Sequence, residues 1–321
     1  MNKRQKVLLT DYAWNNLDLE YERFAAAGLE LIAGPKAAPP PENIVAQCAH
    51  YRPQAIMTCW ALVNRAAIGH CENLQLVARV GVGLDNIDRV AAAARGALVT
   101  NVPDYCVEEM SDHAVAMLLD WARGITENDR EVKQGIWDPS RPTPRRVRTL
   151  TVGIAGYGRI GKLVARKLRG FGCTVLAYSR TRAADHPAEI EWVDFGGLLT
   201  RSDAVIVLLP LSAQTRHVFD ARAFAQMKPG SLLVNISRGA LVHNEDLIVA
   251  LEVGRPGRAA LDVIEGEPEP PAAITAHPRI VTTPHIAFSS PTSVEELRLR
   301  ATEEVIRVLA GQPPRDLVPP P

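Results

Sequence analysis

Residues 151–155, Thr-Val-Gly-Ile-Ala, run directly into Gly156-Tyr157-Gly158-Arg159-Ile160-Gly161 and then into a helix-forming stretch over 162–170. An apolar strand, a G-x-G-x-x-G turn and a helix in that order make the dinucleotide-binding fingerprint, with each glycine placed for a reason. Gly156 permits the tight turn, Gly158 lets backbone approach a pyrophosphate, and Gly161 lets the helix pack on the strand. The first amides of the helix, from Arg159 and Ile160 onward, then face the anion. A further apolar run at 175–178 supplies the second strand of the unit.

Working outward, similar runs lie at 6–10, 55–58, 76–80 and 98–100 before the fingerprint, and at 204–208, 231–235, 259–261 and 280–282 after it. They are continuous rather than alternating, as parallel sheets covered on both faces require. The expected class is α/β, with two doubly wound parallel-sheet, Rossmann-like domains, and 321 residues fit two domains. A stretch at 104–124, apolar nearly all round, predicts a helix buried on several sides. Residues 138–148, rich in Pro and Arg, read as an extended connector. Ser290 and Pro291 punctuate a final amphipathic helix over 291–310, with Glu295, Glu296, Arg298, Arg300, Glu303 and Glu304 expected outward.

Thirty-six Lys and Arg against thirty-six Asp and Glu leave no net charge, and so no basic field for nucleic acid. No apolar run nears the roughly 18 residues of a membrane span. Behind Lys3, Arg4 and Lys6 only residues 7–9 are apolar, too few for a secretory core, so a cytoplasmic protein is expected. The five cysteines are odd in number and lack a C-x-x-C pair; they read as buried thiols, and no metal site is expected.

The second strand ends on Ser179, where an Asp or Glu commonly meets the ribose of NAD, and Arg180, Thr181 and Arg182 follow. No carboxylate repels a 2′-phosphate and two cations can pair with it, which favours NADP. NAD stays the alternative, because an Arg can stack on adenine and Asp185 lies close by. Beyond three successive strand ends come Arg238, Glu267 and His285. A His can exchange a proton with a substrate oxygen, a Glu can hold its other ring nitrogen, and an Arg can clamp a carboxylate.

These residues resemble the D-2-hydroxyacid dehydrogenase family along almost the whole chain. Asn235-Ile236-Ser237-Arg238-Gly239 looks like its Arg motif, Leu261-Asp262-Val263 with Glu267-Pro268 like its Glu motif, and Thr283-Pro284-His285-Ile286 like its His motif. Leu208-Leu209-Pro210-Leu211 with Thr215, and Met227-Lys228-Pro229-Gly230, also match. The resemblance implies a flavodoxin-like substrate domain of residues 1–102 and 288–321 around a dinucleotide-binding domain of 103–287. It further implies a homodimer through the helix starting near Asp104, and a cofactor met by Leu209, Pro210, Thr215, Ile236, Ser237, Arg238, Asp262 and His285. Asp262 would lie near the nicotinamide amide. The implied reaction is reversible hydride transfer between NAD(P)H and a small 2-keto or 2-hydroxy acid, with Arg238, Glu267 and His285 catalytic.

Arg79-Val80-Gly81-Val82 resembles the family's carboxylate-binding loop in its phosphoglycerate dehydrogenase version, which leaves a dianionic, phosphate- or phosphonate-bearing acid open. Two departures stand against serine biosynthesis: Cys59 stands where those enzymes place a further substrate Arg, and no regulatory domain is expected after residue 321. Val102-Pro103-Asp104-Tyr105-Cys106-Val107-Glu108-Glu109 resembles the carboxy-terminal binding corepressors, so a dinucleotide-sensing binding protein is the alternative. Because the chain stops soon after its last helix, without the corepressors' tail, the enzyme is favoured. Formate- and phosphite-type dehydrogenases share the fold.

Overall fold

Ala55, Ile56, Met57 and Thr58 are all fully buried because the strand they form lies at the centre of a parallel sheet. In the computed structural model, which describes residues 4–141, 144–181 and 187–321, that strand belongs to the first of two units, Met1–Tyr105 with Ser290–Pro321 and Cys106–Ser289. Among the described residues the first unit holds five strands: β1 (Lys6–Leu9), β2 (Glu30–Ala33), β3 (Ala55–Thr58), β4 (Leu76–Arg79) and β5 (Leu98–Thr100). They are parallel and ordered β2-β1-β3-β4-β5. Leu8, Ile44, Ile56, Ile68, Val77 and Val99 form a core on one face of the sheet.

In the second unit β6 (Thr151–Ala155), β7 (Thr174–Tyr178), β8 (Ile190–Trp192), β9 (Ala204–Val207), β10 (Leu232–Asn235), β11 (Arg258–Leu261) and β12 (Ile280–Thr282) lie in the order β12-β11-β10-β9-β6-β7-β8. All the described pairings are parallel. Two apolar cores flank this sheet, one centred on Val152, Ile154, Val164 and Leu118, the other on Val205, Val207, Phe219 and Leu247. That two-sided burial is why the strands read as unbroken apolar runs.

The structure adds β2 and β8, which the sequence reading did not include. Both are short edge strands, and only Ile190 among their seven residues is buried, so neither carries the apolar signature of a central strand. The helix expected over 104–124 begins at Val107 and ends at Arg123, where Gly124 takes the left-handed conformation. Asp112 and Ala116 are exposed on it, so it buries one broad face rather than its whole circumference, packing on the helix Arg159–Gly170. Ser290 caps the final helix, Pro291–Leu309, through a reciprocal capping box with Ser293.

Two of that helix's charges do not point outward as expected. Glu304 is 3% exposed and accepts the backbone N–H of Arg315 at 2.9 Å. Arg298 folds onto the fully buried Glu20 with two 2.8 Å hydrogen bonds. An amphipathic period cannot reveal such partners, because they come from distant parts of the chain. Among the described residues no helix is long and apolar enough to cross a membrane, and the five cysteines are free and buried.

Candidate active site

The turn after β6 is packed so closely that side chains are excluded. Gly156 has φ +111°, and a Cβ there would lie 2.6 Å from the carbonyl of Leu208. A Cβ on Gly161 would lie 2.3 Å from the Gly156 carbonyl oxygen, so the helix seats directly on the turn. Around Gly158, by contrast, an added Cβ would meet nothing within 4 Å, and this residue is the N-cap of the helix Arg159–Gly170. Two glycines close the turn and the third leaves space in front of unpaired helix amides, the cradle a pyrophosphate fits. The switch of strand order falls between β6 and β9, at this same turn.

Gly156→Ala should destabilise the protein by about 1–3 kcal/mol, as an imposed positive φ and a backbone clash do. Thermal unfolding checks it. An unchanged midpoint would mean that the turn is not held in the conformation described.

The other expected cofactor residues are distributed as follows. Tyr157 is buried, its ring edge-on to Trp192 with centroids 5.3 Å apart, so only its backbone can serve a ligand. Arg159 is exposed and Ile160 half-buried at the helix start. Beyond β7, Ser179 Oγ donates to the Thr181 carbonyl at 3.0 Å, and Arg180 and Thr181 are exposed. Arg182 and Asp185 lie outside the described residues. After β9, Leu209 is buried and Pro210 exposed, and Thr215 Oγ1 donates to the Pro210 carbonyl at 2.7 Å. Ile236 is 1% exposed in the core. Ser237 Oγ donates to the Leu209 carbonyl at 2.6 Å, tying the loop after β10 to the loop after β9.

The three candidate catalytic residues follow three neighbouring strands, β10, β11 and β12. His285 Nδ1 lies 3.1 Å from Glu267 Oε1, and both side chains are partly exposed. Arg238 Nη1 donates to the Ser237 carbonyl at 2.8 Å. His285 has φ +54°, a conformation that non-glycine residues adopt at a cost and that His tolerates better than most.

Asp262 supplies the restraint that holds it there. Its Oδ1 accepts the Thr283 hydroxyl at 2.6 Å and the Ile286 N–H at 2.9 Å, its Oδ2 accepts the Ala287 N–H at 3.0 Å, and its carbonyl accepts the His285 N–H at 2.8 Å. This fully buried carboxylate therefore organises the loop that carries His285. His113 Nε2 stands 3.0 Å from Thr283 Oγ1; since that hydroxyl gives its proton to Asp262, the imidazole is the donor.

Several residues that position this site were not singled out by the sequence. Asn235 folds the Arg238 loop, donating to the Arg238 carbonyl at 2.8 Å and accepting the Ser237 N–H at 3.1 Å. Glu265, two residues before Glu267, is held by Arg216 and by His217 Nε2 at 2.6 Å, while the His217 N–H reaches the Ala240 carbonyl at 2.8 Å. A Cβ on Gly239 would lie 2.2 Å from Glu265 N, so the Arg238 and Glu267 loops touch backbone to backbone. Only Asn235 stood within a motif; His113, His217 and Glu265 have no local signal, because their partners are 21 to 170 residues away.

In the first unit, Arg79 is 9% exposed, and its Nη1 hydrogen-bonds the Val80 carbonyl and, at 3.5 Å, the Thr58 carbonyl. Val80 and Gly81 are buried and Val82 is exposed, with the Val82 carbonyl held by Asn101 Nδ2 at 2.8 Å.

Residues 115–287 match the family model described as D-isomer specific 2-hydroxyacid dehydrogenase, NAD binding domain. The chain is 37% identical over 252 residues to a D-3-phosphoglycerate dehydrogenase of Mycobacterium leprae, an overlap of 78% of this chain and 48% of that protein. It is 34% identical over 299 residues to a glyoxylate reductase of Thermococcus litoralis, across 90% of each. Among solved structures, an NADPH-dependent glyoxylate/hydroxypyruvate reductase from Sinorhizobium meliloti, in complex with NADP and malonate, is similar with a TM-score of 0.85. Its identity to this chain is 27%, over 98% of this chain and 97% of that one. The chain thus spans about half the length of the phosphoglycerate dehydrogenases it matches, and nearly the full length of the reductases.

Proposed function

The chain belongs to the D-isomer specific 2-hydroxyacid dehydrogenase family, and from that premise we propose that it is an NADP-preferring oxidoreductase interconverting a small 2-keto acid and its D-2-hydroxy acid. The observation that carries this is the His285–Glu267 pair at 3.1 Å, set beside the Arg238 loop on adjoining strand ends. When bound, the nicotinamide cofactor supplies or takes up the hydride. Gly156, Gly158 and Gly161 with the amides of Arg159 and Ile160 would hold its pyrophosphate. Ser179, Arg180, Thr181 and Arg182 would meet the adenosine ribose, and Leu209, Pro210, Thr215, Ile236 and Ser237 the remainder.

Glu267 holds Nδ1 of His285 and leaves Nε2 to exchange a proton with the substrate oxygen, giving it in reduction and taking it in oxidation. Arg238 would clamp carboxylate and keto oxygen with its planar fork. In the amino-terminal unit the Val80 N–H is already given to the Thr58 carbonyl at 2.9 Å, so any anion-binding role of this loop falls to the N–H groups of Gly81 and Val82. The test is a spectrophotometric assay of purified protein with 2-keto acids and reduced cofactor. Absence of turnover with every acid would sink the reading. The matched relatives carry the names of dehydrogenases and reductases, which supports an enzyme over a corepressor-like binding protein.

Glu267→Gln should lower reductive kcat by about tenfold or more while cofactor affinity stays close to native, because a neutral amide holds His285 Nδ1 less firmly than a carboxylate does. Steady-state kinetics with a cofactor titration check it, and a native kcat would remove Glu267 from the pair.

A homodimer through the helix Val107–Arg123 and its continuation is part of this proposal. Ile125, Val132 and Trp137, the last 84% exposed, give the second unit apolar surface just beyond that helix. Sedimentation equilibrium tests it. We take the cytoplasm as the compartment, since five free thiols fit a reducing environment.

A further inference from the structure

In the sheet β2-β1-β3-β4-β5 the chain leaves β1 for β2 on one side and reaches β3 on the other, so the order reverses between β1 and β3. Doubly wound sheets bind ligands beyond the carboxyl ends of their strands at that reversal. The loops there are residues 10–16 and 59–62, with the loop 80–86 after β4 alongside β3.

Beside the exposed polar residues Asn15, Asn16 and Asp85, these loops carry aromatic and aliphatic side chains. Tyr12 and Trp60 are half-buried, Tyr12 and Trp14 have ring centroids 5.8 Å apart, and Leu62 and Val82 are 41% and 39% exposed. Two of the other charges nearby, Asp11 and Arg298, are turned to structural use. Asp11 accepts the N–H groups of Cys59, Trp60 and Ala61 at 3.1, 2.8 and 3.3 Å and the Thr10 hydroxyl at 2.7 Å. Asn86 Nδ2 grips the Cys59 and Ala61 carbonyls at 3.3 and 3.0 Å, so the loop bearing Trp60 is fixed from both sides.

Arg298 is engaged with Glu20 through both oxygens and lies 5.3 Å from the Trp14 ring. Arg79, the last residue of β4, turns its Nη1 to the carbonyls of Val80 and Thr58, where a Cβ on Gly81 would meet it at 2.5 Å. Burial, and then the Asp11 carboxylate, push the Cys59 thiol up, so it is neutral. A second anion on a substrate would be desolvated against indole and aliphatic carbon: these loops hold no Lys or Arg, and Arg79, at the end of β4, is buried.

We propose that the acid carries a single anionic group and an apolar side chain, branched or aromatic, that rests on Tyr12, Trp60, Leu62 and Val82. This narrows the dianionic option and rests on the reading of the chain as a 2-keto acid reductase. The test compares kcat/KM for glyoxylate, 4-methyl-2-oxopentanoate, phenylpyruvate, 2-oxoglutarate and 3-phosphonopyruvate with the same reduced cofactor. The two apolar acids should exceed the two dianions by about tenfold or more. A dianion that matches or beats them overturns the proposal and leaves the reductase reading intact. Failure with every acid, glyoxylate included, overturns both. Leu62→Arg should move the phosphonopyruvate-to-phenylpyruvate ratio toward the dianion by about tenfold, as a new charge-assisted contact does; an unmoved ratio would place the side chain elsewhere.

Discussion

Replacing His285 should lower kcat by about 10² to 10⁴, the usual contribution of a positioned general acid–base group, while cofactor affinity stays close to native. Alanine is an imperfect probe here, because φ is +54° at this residue and Ala adopts that region less readily than His. His285→Asn is the better variant: Asn accepts the left-handed backbone yet cannot exchange the proton. If the Asn variant turned over at a near-native rate across pH, the catalytic assignment would be wrong however much the Ala variant lost. Arg238→Ala should also lose turnover, through a weakened carboxylate clamp, and so raise KM as well as lower kcat. Steady-state kinetics separate the two, and a fluorescence titration with cofactor shows whether the loss lies in binding.

The positions of the central parallel strands and the glycine turn were legible because buried strands must be apolar and a tight turn must be glycine. The strand limits expected from apolar runs agree with the observed ones to within one residue, as at Thr151–Ala155 and Ile280–Thr282. Edge strands broke the rule, since Glu30–Ala33 is exposed enough to look like loop. In the site, Arg238, Glu267 and His285 stood out as polar residues just past apolar strands. What holds them in place did not. Asp262 was read as a cofactor neighbour, and its visible work in the structure is to bind Thr283, Ile286 and Ala287. Glu265, His217 and His113 act through partners brought in by the fold, and no periodicity or spacing encodes a contact across 48 or 170 residues. Burial of Glu20 and Glu304 was hidden for the same reason: a carboxylate is placed inside only when a distant Arg or backbone N–H meets it there.

NADPH should be preferred to NADH by about ten- to a hundredfold in kcat/KM and in dissociation constant, which is what charge-assisted contacts of about 1.5–3 kcal/mol provide. The residue after β7 is Ser179, whose hydroxyl turns to the Thr181 carbonyl at 3.0 Å rather than outward as a carboxylate would. Arg180 is exposed beside it, free of any burial that would tie it to the core. A 2′-phosphate carries close to two negative charges at neutral pH and would pair with this guanidinium, so Arg180→Ala should weaken NADPH by about tenfold and leave NADH nearly unchanged. The contact is solvent-exposed, and raising the salt concentration should shrink the preference as the charges are screened. Ser179→Asp should reverse it, by offering the ribose hydroxyls an acceptor and repelling the phosphate. Fluorescence titration with each cofactor reads affinity independently of turnover. Equal affinities in the unmodified protein, or an Arg180→Ala variant that weakens both cofactors alike, would mean that Arg180 stacks on the adenine ring common to both, and the preference for NADP would be withdrawn.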